Sequence, residues 1–207
     1  VLFIYGLVRQ QWVLGSVALG LAVASKPTAW FLVPFLLAHL WNSPEAIPGR
    51  WTFLFRRLWP AAAVATLLIL PFAAWDAGAM FEDIWRWSSG TTETAYQIRG
   101  WGLANVVLAL NLVQSRLDYF PFWFLQALFG LPLLAALVWR QFKGDNSIGS
   151  MFYSYALFTL VFLFFSRFLN ENYIGYLLAC FALGYYVQAP LPSPAARKSG
   201  AAPTPPA

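Results

Sequence analysis

The recurrence of long apolar runs constrains this chain most. Residues 12–25, 28–41, 58–75, 120–139, 148–165 and 174–187 contain no Asp, Glu, Lys or Arg. One crossing of a hydrocarbon layer takes about 20 apolar residues, or about 17 at the short limit. Runs 58–75, 120–139 and 148–165 meet or exceed the short limit, whereas the first two are short for separate crossings, as is 174–187 taken without its flanks. Only 10% of the chain is charged, against roughly 25% in an ordinary soluble domain, so a water-facing shell cannot be built around this much apolar surface. The sequence therefore predicts an all-α, polytopic integral membrane helical bundle over residues 1–188, with five to seven membrane segments. Residues 1–8, VLFIYGLV, read as the end of a further span. With a first residue other than Met, the chain is expected to be the C-terminal portion of a longer protein.

Lys and Arg orient the bundle. If runs 12–25 and 28–41 form a hairpin and each later run crosses once, one face collects Arg9, Arg50, Arg56, Arg57, Arg140, Lys143, Arg197 and Lys198. Its only acids are Glu45 and Asp145. The opposite face collects Lys26, Arg86, Arg99, Arg116 and Arg167 against Asp76, Glu82, Asp83, Glu93, Asp118 and Glu171. Cytoplasmic loops carry the excess of Lys and Arg, so the second face is expected to point outward from a cytoplasmic (inner) membrane. The net charge of +5 then reflects topology, not nucleic-acid binding. Trp12, Trp41, Trp59, Trp75, Trp123 and Trp139 stand near run ends, as the headgroup zone favours. The first hairpin is the weak joint, because 14 residues rise only about 21 Å. One Pro-kinked crossing over 12–41 would reverse every assignment upstream.

Residues 50–59, RWTFLFRRLW, have the aromatic and Arg content of an interfacial segment. Pro60 then suits a first helical turn, and Pro71 a bend. The tail, 189–207, is rich in Pro, Ala and Ser and is expected to be a disordered cytoplasmic extension. Cys180 is the single cysteine, which leaves no disulfide or cysteine-based metal site within the chain. There is no GxxxxGK[ST] or HExxH motif. His39, the single histidine, lies in an apolar run and reads as structural.

Chemistry is expected in two places. The first is 166–173, SRFLNENY, which sets Arg167, Glu171 and the amides of Asn170 and Asn172 between two apolar runs; charges that close to hydrocarbon are rarely accidental. The bland alternative is a turn in which Arg167 pairs with Glu171 at helical spacing and the Asn residues cap helices. The second is the outward loop, 77–117, where 79–87, AMFEDIWRW, separates apolar from charged faces as a helix lying on the membrane would. Tyr96, Arg99 and several glycines follow. Asp76, at the outer end of run 58–75, could bind a divalent cation or accept a sugar hydroxyl. It could equally cap the next helix.

The order of these parts resembles the C-terminal half of polytopic glycosyltransferases of the GT-C superfamily. The matching pieces are GLAVASKPTA at 20–29 with LVPF at 32–35, LPF at 70–72 with Asp76 and 81–87, RGWGL at 99–103, and 168–176. Their order and spacing are similar to those of bacterial mannosyltransferase-like proteins. The resemblance implies transfer of a sugar, with mannose the first candidate, from a polyprenyl-phosphate donor to an acceptor outside the membrane. Membrane lipids are the implied surroundings, and the acceptor is not specified. Family members carry their catalytic acid in a first outer loop, upstream of the part matched here. This half would then bind donor phosphate through Arg167, Asn170, Asn172 and Tyr173, with Lys26 and Arg99 as further outward-facing contacts. Arg suits phosphate because its planar fork binds two oxygens at once. Asp76 and Glu171 are the candidate bases within the chain. A transporter, a lipid flippase or a noncatalytic membrane subunit is the alternative; transporters place charges on broken helices near the midplane, whereas these lie at run ends.

Overall fold

The structure, a computed structural model, describes residues 1–47, 49–92 and 94–188; the expected disordered tail, 189–207, lies outside the described residues. The chain is mostly helical. In order come α1 (Leu2–Val8), α2 (Trp12–Ser25), a 3-10 stretch (Pro27–Leu32) continuing as α3 (Val33–Trp41), and α4 (Arg50–Phe81). A π turn (Glu82–Arg86), α5 (Trp87–Ser89), β1 (Arg99–Gly100) and α6 (Leu103–Ala109) follow, then α7 (Phe122–Lys143), α8 (Ile148–Phe164), β2 (Phe168–Leu169) and α9 (Glu171–Gln188).

The first hairpin forms, and its two ends prove it. Trp12, at the start of α2, packs edge-on against Phe53, while Trp41, at the end of α3, packs against Trp51. Both partners lie in the first turns of α4, so α2 rises and the α3 arm returns to the same end. Lys26 and Pro27 make the turn, in which Lys26 is extended (φ −147°, ψ 125°). An extended residue before proline is the sterically favoured arrangement. The single Pro-kinked crossing is excluded. Small residues set the helix crossings, as close backbone approach requires: Gly6 meets Gly15 where α1 crosses α2, and Gly20 meets Ala61 where α2 runs beside α4.

Helix α8 is the centre of the bundle. Phe35, Leu36, Leu40, Met151, Tyr155 and Ala156 are fully enclosed. Phe31 and Phe35 engage the rings of Phe158 and Phe162 at centroid separations of 4.6 to 6.3 Å. Where α7 turns into α8, Gln141 donates to the Phe35 carbonyl (2.9 Å), Asn146 donates to the His39 carbonyl (3.0 Å), and His39 Nδ1 meets the Asn146 carbonyl oxygen (2.7 Å). His39 thus locks α3 to the α7–α8 turn, the structural part expected of it.

These contacts separate the charges by end. Arg9, Glu45, Arg50, Arg57, Arg140, Lys143 and Asp145 stand near the α2 start, the α3 end and the α7–α8 turn. Lys26, Arg99, Arg116, Asp118, Arg167 and Glu171 stand at the other, where β1 pairs in parallel with β2 through Arg99↔Phe168 and Gly100↔Leu169. The 77–117 loop and the 166–173 turn therefore share one end.

Two sequence expectations for α4 are corrected. Its helix begins at Arg50 and runs through Pro60, so 50–59 is no separate segment and Pro60 opens no helix. Proline costs a backbone hydrogen bond inside a helix, but packing on α2 compensates locally: the Ala61 N–H donates to Ser16 Oγ at 2.9 Å. The second correction concerns the bend, which falls at Asp76 (φ −152°, ψ 91°) and not at Pro71. Among the described residues, 50–89 and α7 are the two helical segments long and apolar enough to cross a membrane.

Candidate functional site

The end of the bundle that carries the 166–173 turn is built around Arg167, a residue only 2% exposed. Its Nε donates to the Tyr96 carbonyl, Nη1 to that of Asp118 (2.9 Å), and Nη2 to those of Arg116 (3.2 Å) and Leu117 (3.0 Å). The acceptors are placed by Asp118, whose Oδ2 takes the N–H groups of Gln114 and Ser115, both at 2.8 Å, and curls the loop. Burial lowers the Arg167 pKa from its ordinary value, and the nearby Asp118 carboxylate opposes that shift. Gly90, at φ +86°, lies so close that a Cβ there would collide with the guanidinium. Arg167 is therefore a structural clamp between the 166–173 turn and the outer loop.

This corrects the expected shared site. Arg167 and Lys26 occupy the same end, but Arg167 does not line the cavity that holds Lys26. Four carbonyls already take its fork, which leaves little for a phosphate. Nor does it pair with Glu171, whose carboxylate instead accepts the Trp101 indole N–H at 3.3 Å. Asn170 donates to the Tyr96 hydroxyl at 3.2 Å and belongs to the same clamp. Asn172 accepts the neighbouring Tyr173 N–H (3.0 Å) at the start of α9. Arg99 sits in β1 with an exposed side chain. Asp76 Oδ1 accepts the Ala79 N–H at 2.9 Å, capping the helix that restarts at residue 77. Among the described residues no group of three or more His, Cys, Asp or Glu is placed to hold a metal ion.

What the fold does bring together is Lys26 with Asn172 and Tyr173, from far apart in the chain. They line a cavity of about 320 Å³ with Ser25, Thr28 and Tyr176, backed by Ala22 and Ala29. The Lys26 ammonium stands 5.8 Å from the centre of the Tyr173 ring, within cation–π range. Behind it, Tyr176 and Tyr155 share a hydrogen bond of 2.5 Å, and the Tyr155 hydroxyl donates to the Thr28 carbonyl (3.1 Å). These bonds tie the cavity floor to the α2–α3 turn. An aromatic ladder joins cavity to clamp: Tyr173 to Phe168 (6.1 Å), Phe168 to Tyr96 (4.5 Å) and Tyr96 to Trp87 (4.8 Å).

The arrangement offers one cation, an amide, several hydroxyls and an apolar wall, which is the chemistry of a phosphate attached to a hydrocarbon. Tyr176 and Thr28 were not expected as lining residues; their signal in the sequence was only that they flank Tyr173 and Lys26. No protein-family model, curated protein or solved structure matches this chain.

Proposed function

We propose that this chain is a multi-pass helical protein of a cytoplasmic membrane whose outward cavity binds the phosphate of a polyprenyl-phosphate sugar donor for glycosyl transfer. The observation that carries it is the meeting of Lys26, Asn172 and Tyr173 in one partly apolar cavity at the less cationic end. The membrane part rests on exposure. Only 11% and 17% of the most apolar windows of residues 50–89 and of α7 are buried, whereas the core helix of a soluble protein hides such a surface. Trp51, Phe55 and Trp59, spaced by four residues, are also exposed and form the aromatic stripe that headgroups favour.

In the proposed reaction, negative charge grows on the departing lipid phosphate. A cation that holds it more strongly in the transition state lowers the barrier. Lys26 is that cation; Asn172 and the tyrosine hydroxyls orient the oxygens. The clamp at Arg167 holds the wall they stand on. Neither Asp76 nor Glu171 lines the cavity, so the base that a hydroxyl acceptor needs comes from elsewhere. That lack of a lining carboxylate favours a second reading, a donor-binding membrane subunit without catalysis of its own.

The test is binding first and transfer second. Lys26→Gln should weaken retention of a polyprenyl phosphate about tenfold, the value of one charged hydrogen bond, while a polyprenol without phosphate binds both forms alike. Wild-type retention by the variant would end the phosphate reading. Binding without sugar transfer by the intact protein would leave the subunit reading in place.

A further inference from the structure

A second cavity, of about 390 Å³, lies at the opposite end, between the end of α7 and the facing sides of α8 and α9. Arg140 enters it and is exposed. Its Nη2 is held by Ser154 Oγ at 3.0 Å and more loosely by Ser150 Oγ at 3.5 Å. Its Nε and Nη1 make no hydrogen bond among the described residues, so both keep N–H donors while the serines hold Nη2 on the cavity lining. Asp145, also on the lining, accepts the N–H of Ser147 at 2.8 Å and its hydroxyl at 3.0 Å. Tyr153 adds a phenol to the polar mouth, and Leu157 and Phe181 form an apolar wall. Leu157 is itself exposed on the outer surface of α8, so the wall opens toward whatever surrounds the bundle.

We infer that this cavity is a structural lipid site, in which Arg140 takes the phosphate of a membrane phospholipid and an acyl chain follows Leu157 and Phe181. It rests on the membrane reading above but not on glycosyl transfer. Three features select the occupant. A guanidinium anchored at Nη2, with Nε and Nη1 still able to donate, suits phosphate oxygens. The polar mouth and apolar wall require both parts of an amphiphile. The location, with Lys143 and Arg57 at the same end, is the cationic face, where basic pockets between membrane helices bind lipid headgroups. A free phosphate would satisfy the fork and leave the wall empty.

The experiment uses the full chain, extracted in mild detergent and freed of bound lipid, then titrated with phosphatidylglycerol, with diacylglycerol and with inorganic phosphate, retention being read by native mass spectrometry. Phosphatidylglycerol should bind at one saturable site. Arg140→Gln should weaken it about tenfold, Leu157→Trp should block it by filling the wall, and Lys143→Gln should leave it unchanged. Leu157→Trp keeps an apolar exposed surface and remains decisive even if Arg140→Gln misfolds. Equal retention of diacylglycerol, binding of phosphate as tight as that of the lipid, an equal loss in Lys143→Gln, or a wild-type result in Leu157→Trp would each overturn the inference. A chain that does not partition into membranes would instead overturn the membrane reading itself.

Discussion

Arg167 shows how much one residue can carry. Among the described residues its guanidinium forms no salt bridge; it joins the carbonyls of four residues in two loop segments to the turn before α9. Removing it strands those acceptors. Arg167→Gln should therefore cost about 3 kcal/mol or more, since charged hydrogen bonds each contribute roughly 1.5 to 3 kcal/mol and a lost partner leaves buried groups unpaired. Arg167→Lys should recover only part, because an ammonium cannot reach acceptors arranged around a planar fork. Glu171→Gln should stay within about 0.5 kcal/mol of the parent, since an amide oxygen can still accept from Trp101. Thermal unfolding in detergent checks all three; equal losses for Arg167→Gln and Glu171→Gln would restore the helical ion pair that the sequence also allows.

At the scale of elements, the two-residue strand pair matters more than its size suggests. β1 joins β2 through Arg99 N–H to the Arg167 carbonyl (3.2 Å) and Trp101 N–H to the Leu169 carbonyl (2.7 Å). Gly100 stands between them at φ +89°, and a Cβ there would run into the Leu169 carbonyl. Positive φ and lack of space both demand glycine. Gly100→Ala should detach the outer loop: proteolysis within 90–121 should rise at least tenfold while helicity by circular dichroism stays near the parent value. An unchanged digestion rate would mean that the clamp alone holds the loop. Gly100 and Gly102, two of the glycines of this loop, are thus points of close backbone approach, to Leu169 and Phe164.

For the whole molecule, the testable property is the division of charge between ends. With Cys180→Ala as background, single cysteines at Ser89 and Asn172 should react with a membrane-impermeant thiol reagent from one side, and a cysteine at Asp145 from the other. Labelling of Asn172 and Asp145 from the same side would overturn the topology, and with it both cavities' assignment to opposite faces.

Much of this was legible in the sequence because it depends on local pattern and length. Apolar runs specify helices, and the spacing of Lys and Arg specifies which loops share an end, so α7, α8 and α9 could be read directly and the sorting of charges followed once the hairpin was assumed. The choice of hairpin over a single kinked crossing fell to the contacts of Trp12 and Trp41. Side-chain roles could not. An Arg in a polar turn carries the same letters whether its fork faces a ligand or four carbonyls, and only the approach of 96–118 to 167, remote in the chain, assigned it to the fold. Asp76 capping a helix and Ala61 finding the Ser16 hydroxyl beyond Pro60 depend likewise on where the backbone arrives. The cavity around Lys26 exists because α9 begins beside the α2–α3 turn. Local chemistry decided what each segment can form; long-range packing decided which polar groups were consumed in holding it together and which were left to meet a ligand.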